Sequence, residues 1–113
     1  MDRPAWVTNE HQWRDNCREI VQRCQDLLDG RVGVIEAARS LKEWAFRVRA
    51  EEDEDFTLFR VIDSESDALP VGPERAQWST AALEREVARI AGFGDNWREH
   101  ALAAARNLAQ RYA

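Results

Sequence analysis

Apolar residues recur along this chain at three- and four-residue spacing, the period of a helix that buries one face. From Asn9 to Asp29 the stripe is Trp13, Cys17, Ile20, Val21, Cys24, Leu27 and Leu28. Thr8 or Asn9 suits the start of that helix, and Gly30 suits the left-handed stop just beyond its end. Glu19 and Arg23 stand four apart in the favourable order for an ion pair along the helix. After a short connection around Gly30 to Gly33, a second stripe follows: Ile35, Ala38, Leu41, Trp44, Ala45 and Val48. This second helix ends near Val48 or Ala50, with Glu43 and Arg47 spaced to pair outside the stripe. So short a turn predicts an antiparallel hairpin.

The pattern is less clear from residue 51 to residue 79. Glu51-Glu52-Asp53-Glu54-Asp55 is a run of acids whose mutual repulsion predicts an exposed helix end or loop. In the next stretch, Phe56-Thr57-Leu58-Phe59-Arg60-Val61-Ile62, periodicity alone does not separate a strand from a short buried helix. The chain offers no second strand to pair with it, and a lone strand leaves backbone groups unsatisfied. A helical turn or an extended packing segment is therefore expected. Beyond Pro70 and Pro73, Ser79 or Thr80 caps a third helix carrying Leu83, Val87 and Ile90. Gly92-Phe93-Gly94 predicts a break, because each glycine costs about 1 kcal/mol in a helix interior. Asp95 would then cap a fourth helix through Trp97, Leu102, Ala105 and Leu108. The expected architecture is all-α: a small bundle of two antiparallel helical hairpins joined by an acidic connector, with residues 1–113 as one domain.

Charge sharpens this picture. The net charge is −5 over 113 residues. Residues 1–50 hold nine basic and eight acidic side chains, and residues 75–113 hold six and four. Residues 51–74 hold one basic residue, Arg60, against nine acids, so the acidic excess sits in one connector. Phosphate binding needs a basic footprint, so nucleic acid is not an expected partner. A basic protein partner suits the charge better. The longest apolar run is too short to span a membrane, and the first residues lack a secretory pattern, so a cytoplasmic setting is expected. Cys17 and Cys24 lie seven apart on one helix, about 10 Å at 1.5 Å per residue. A disulfide spans no more than about 7 Å, so both are expected as buried reduced thiols.

Candidate chemistry concentrates in Ile62–Gly72, which reads IDSESDALPVG. Asp63, Glu65, Asp67 and Glu74 fall at positions 1, 3, 5 and 12 of an EF-hand-length loop. Ala68 stands where the sharp turn needs glycine, and Pro70 removes a backbone donor, so no metal is assigned. The alternation also reads as turn chemistry, or as an ion pair in which Asp63 or Glu65 takes Arg39 or Arg60. His11 and His100 read as exposed helix residues, with His11 turned away from the cysteine face. No phosphate loop, nucleophile elbow or paired-cysteine metal motif is present, and no catalytic residue or cofactor is assigned. Trp13 and Trp44 belong to the apolar stripes, whereas Trp6 and Trp78 lie outside them as candidate interface anchors or helix-end covers.

IDSESDALPVG followed by Trp78, together with VGVIEAARSL at Val32–Leu41, resembles a family of small uncharacterised bacterial helical proteins. That family's segment is similar to I-D-S-E-T-D-x-L-P-x-G, and this chain carries Ser66 at its threonine. The resemblance covers roughly residues 13 to 112 and implies a bacterial, cytoplasmic helical domain. It carries no activity.

Together these features predict a non-enzymatic partner-binding protein, most concretely an immunity protein or antitoxin that neutralises a toxin. Glu51, Glu52, Asp53, Glu54, Asp55, Asp63, Glu65, Asp67 and Trp78 are the candidate contact residues. The alternatives are a metal- or small-molecule-dependent enzyme built on Asp63, Glu65 and Asp67, with Glu36 as a further candidate, and a structural or regulatory helical homodimer.

Overall fold

A helix leaves its first amides without partners, and here short polar side chains satisfy them at three of the four helix starts. In the computed structural model, which describes residues 3–67, 69 and 79–113, these helices are α1 (Glu10–Leu28), α2 (Val34–Arg47), α3 (Glu54–Glu65) and α4 (Thr80–Tyr112). The Gln12 amide donates to the Asn9 side chain at 3.0 Å. The Asp55 and Phe56 amides donate to Asp53 at 2.9 and 3.3 Å. The Ala82 amide donates to the Ser79 hydroxyl at 3.1 Å. Only α2 starts at a residue without such a side chain, Gly33.

The ends of α1 and α2 share one geometry. The Arg31 amide reaches the Asp26 carbonyl at 2.8 Å, and Gly30 sits between them with φ +76°. Likewise the Ala50 amide reaches the Ala45 carbonyl at 2.8 Å, with Arg49 between them at φ +55°. Both are Schellman stops, which need a left-handed residue just past the helix. Glycine fills that place after α1, and an arginine fills it after α2.

The all-α bundle expected from periodicity is what the chain forms. Contacts at one end fix the helix directions. Trp13 near the start of α1, Phe56 near the start of α3 and Tyr112 at the end of α4 form one aromatic cluster. Consecutive helices therefore run up and down in turn, with α4 packed chiefly on α1 and α3 chiefly on α2. Large core side chains from α1 to α3, such as Ile20, Leu41, Phe56, Phe59 and Ile62, face Ala101, Ala104 and Ala105 of α4. The alanines let α4 approach closely, and each large side chain buried there contributes about 1.5–3 kcal/mol.

Two elements differ from the expectation. The stretch after the acidic run is a helix of three turns, α3, rather than a helical turn or extended segment. Its buried face is Phe56, Phe59 and Ile62, a three-residue spacing that the strand-like alternation of the same residues conceals. The expected break at Gly92-Phe93-Gly94 is absent, and α4 is continuous for 33 residues. Phe93 offsets the glycine cost by packing against Ile35 and Leu69 on one side and against the main core on the other. The spaced Glu43 and Arg47 do not pair either. The Arg47 guanidinium stands 4.7 Å from the Trp44 ring centroid, which competes for the same cation.

Candidate functional site

The acidic residues singled out from the sequence divide into internal anchors and solvent-facing groups. Asp53 and Asp55 belong to the first kind. Asp53 caps α3, where the positive end of the helix dipole favours an anion. The same carboxylate takes Arg111 Nη2 at 2.9 Å, and Asp55 takes it at 3.1 Å. Asn107 Nδ2 adds a bond to Asp55 at 3.3 Å. Arg111 thus ties the last turn of α4 to the first turn of α3 across more than fifty residues of sequence. Glu51 is half-buried, and its carbonyl accepts the Thr57 hydroxyl at 3.2 Å. The run expected as an exposed end or loop is therefore partly folded into the bundle.

Asp63 is also an anchor. It lies in the last turn of α3 with 17 % of its side chain exposed, between Lys42 Nζ at 2.8 Å and Arg39 Nε at 3.6 Å. Its hydrogen bond and charge hold the Lys42 ammonium above its ordinary pKa. The pairing of Asp63 with Arg39 agrees with one of the sequence-based alternatives. Ser66 is completely buried and donates its hydroxyl to the Asp63 carbonyl at 3.2 Å. Asp63 and Glu65, the first and third positions of the EF-hand-length stretch, are helical, and Glu74, its twelfth, lies outside the described residues. Among the described residues, no group of three or more His, Cys, Asp and Glu side chains is placed to hold a metal ion.

Glu52, Glu54, Glu65 and Asp67 face solvent and have no ion pair among the described residues. Trp78 lies outside the described residues. Trp6 packs edge-on to Trp13 with centroids 5.8 Å apart, and the Arg49 guanidinium stands over the Trp6 ring, 4.5 Å from its centroid. It acts as a cover for the helix ends, with part of its surface exposed.

No family model, curated protein or solved structure matches the chain. Function therefore rests on the residues themselves. Both cysteines are free and buried on α1. Burial pushes the Cys24 thiol up to about 12 from 9.0, with the Asp55 carboxylate adding to it, and burial also raises Cys17. Neither is poised as a nucleophile. His11 is exposed and stands 3.4 Å from Asp15, one turn on, as expected for a surface histidine. No helix among the described residues is long and apolar enough to cross a membrane.

Sequence reasoning missed Arg111 as the partner of the acidic run, since nothing local links residues so far apart. It also missed Phe46. That ring is 73 % exposed and flanks a groove of about 490 Å³ between α2 and α3. An apolar residue one position off a helical stripe is the available signal, because Ala45 carries the stripe and Phe46 must then point outward.

Proposed function

We propose that this protein is a non-enzymatic binding module that meets a basic partner protein, in its most concrete form a bacterial immunity protein or antitoxin bound to its toxin. The observation that carries the reading is the division of labour among the carboxylates. Asp53, Asp55 and Asp63 fix α3 against α4 and α2. Glu52, Glu54, Glu65 and Asp67 are then displayed near the two ends of a braced helix. Preorganised charge lowers the ordering cost of association, and exposed charge of one sign speeds encounter with an opposite partner. The cytoplasmic setting belongs to this reading and is supported by the buried free thiols. The resemblance of IDSESDALPVG to the bacterial helical family supports a bacterial protein.

The test combines Glu52→Gln, Glu54→Gln, Glu65→Gln and Asp67→Asn in one chain. Capture from the native host should recover a basic protein with the original chain, and the fourfold variant should lose it. Binding that is unchanged in the variant, or insensitive to salt, overturns the acidic-surface reading.

A second reading, the homodimer, is favoured by the exposed Val87, at 56 %, on the part of α4 that leaves the bundle. Around it Glu84, Arg85, Glu86 and Arg89 balance in charge, so a second copy meets no net repulsion. Sedimentation of the original chain and of Val87→Asp separates the two. A dimer that Val87→Asp dissolves supports this reading, and a monomer at every concentration removes it.

A further inference from the structure

One apolar recess among the described residues carries guanidinium groups at its edge, unlike the acidic ends of α3. It lies between α2 and α3, floored by Ala45 and Phe56, walled by Phe46, and rimmed by Lys42, Arg47 and Arg60 with Glu43 and Glu51. Its volume of about 490 Å³ falls in the range of small-molecule sites. Arg60 is the one basic residue of the −8 segment, and Lys42 is the one lysine of the chain. Both stand at this rim. Lys42 is committed to Asp63, whereas Arg47 and Arg60 have no ion pair among the described residues. Phe46, on the same wall, leaves most of its ring in water.

We infer that this groove binds a free single-tailed anionic amphiphile, with the apolar tail on Ala45, Phe46 and Phe56 and a carboxylate head at Arg60 and Arg47. The argument is charge and shape together. An apolar trough alone accepts any greasy molecule, but guanidinium groups at its edge favour a planar carboxylate that can take two parallel N–H bonds. With Lys42 held by Asp63, Arg47 and Arg60 are matched in number by Glu43 and Glu51, so the preference for an anionic head is local to the guanidinium groups and the rim does not hold a polyanion. The alkyl stem of Lys42 adds apolar surface while its ammonium stays with Asp63. This inference is independent of the acidic-surface reading, since the residues that carry it are apolar or basic.

The test is titration of the whole chain with decanoate below its micelle concentration, followed by amide chemical shifts. Saturable one-site shifts should centre on Ala45, Phe46 and Arg60. Affinity should rise about fourfold for each methylene added from hexanoate to decanoate. Arg60→Glu, at an exposed position, should weaken decanoate by about tenfold or more through loss of the charge-assisted bond and the reversed sign. Phe46→Ser should weaken it as well, and neither change should alter the fold. Four outcomes overturn the inference. They are non-saturating shifts over the whole surface, undiminished binding by Arg60→Glu, equal binding of decyltrimethylammonium, and binding to vesicles of anionic lipid without binding of the free acid.

Discussion

Single residues on this chain carry their weight through partners far away in sequence. Arg111 bridges Asp53 and Asp55, and about a third of its side chain remains in water. Replacing it with alanine should cost about 1–2 kcal/mol, the range of a partly screened charge-assisted pair. Arg111→Lys should recover only part of that, because one ammonium lacks the fork that spans two carboxylates. Urea unfolding of the three proteins measures both differences. Alkaline stability is set by residues of the same neighbourhood. Burial first, then Asp53, pushes the Tyr112 hydroxyl up to about 12 from 10.0, and burial with Asp55 takes Cys24 to about 12 from 9.0. In both groups the folded pKa is raised, so folding favours the protonated form. Their contribution is complete below pH 9 and is lost as pH climbs towards 12. Thermal midpoints should therefore fall steeply over that window, with a smaller fall in Cys24→Ala, which removes one of the titrating groups. Both thiols should resist alkylation in the native protein at pH 8 and react after unfolding.

Helix ends and helix interiors make separate predictions. Arg49 holds a left-handed conformation that costs a side-chain-bearing residue about 1–2 kcal/mol. It also lays its guanidinium over Trp6, an interaction worth about 0.5–1 kcal/mol when exposed. Arg49→Gly relieves the first and loses the second, so its stability should stay within about 1 kcal/mol of the original. Arg49→Ala keeps most of the strain and loses the ring contact, and it should be the less stable of the two. Chemical denaturation ranks them. In α4, a methyl group added at Gly92 or Gly94 meets no atom within 4 Å. Gly92→Ala and Gly94→Ala should each stabilise by about 0.5–1 kcal/mol, a rise of several degrees in midpoint for a domain of this size. A destabilising effect at either position would show that α4 needs a bend there. The glycine pair is also where the sequence is least informative. Local propensity favours a break, and only the seat of Phe93 between two buried clusters explains the continuity.

At the scale of the whole molecule, α4 sets the shape. Thirty-three residues at 1.5 Å each make a rod of about 50 Å, and the longest dimension is 51 Å. The radius of gyration is 15.3 Å, against about 13 Å for a compact chain of this length. The excess arises because α1, α2 and α3 are 19, 14 and 12 residues long and cover only the later part of α4. Small-angle scattering should return the larger value. A value near the compact one would mean that α4 folds back at the glycines. The expected acidic connector reads differently at this scale as well, because Arg111, Lys42 and Arg39 neutralise its anchors from neighbouring helices and leave the solvent-facing charge to other carboxylates.

The sequence alone determined the helical class, the reach of α1 and α2, the polar helix caps at Asn9 and Ser79 and the burial of both cysteines. Each of these follows from residues within one or two turns of one another, where spacing and capping chemistry act directly. Tertiary structure decided that the Phe56–Ile62 stretch is a helix, that α4 runs unbroken, and that IDSESDALPVG contributes Ile62, Ser66 and Leu69 to the interior. It also decided that Phe46 borders a groove with Arg60. Those outcomes depend on which surfaces meet, and two side chains fifty residues apart exert no force on each other until the core between them has formed.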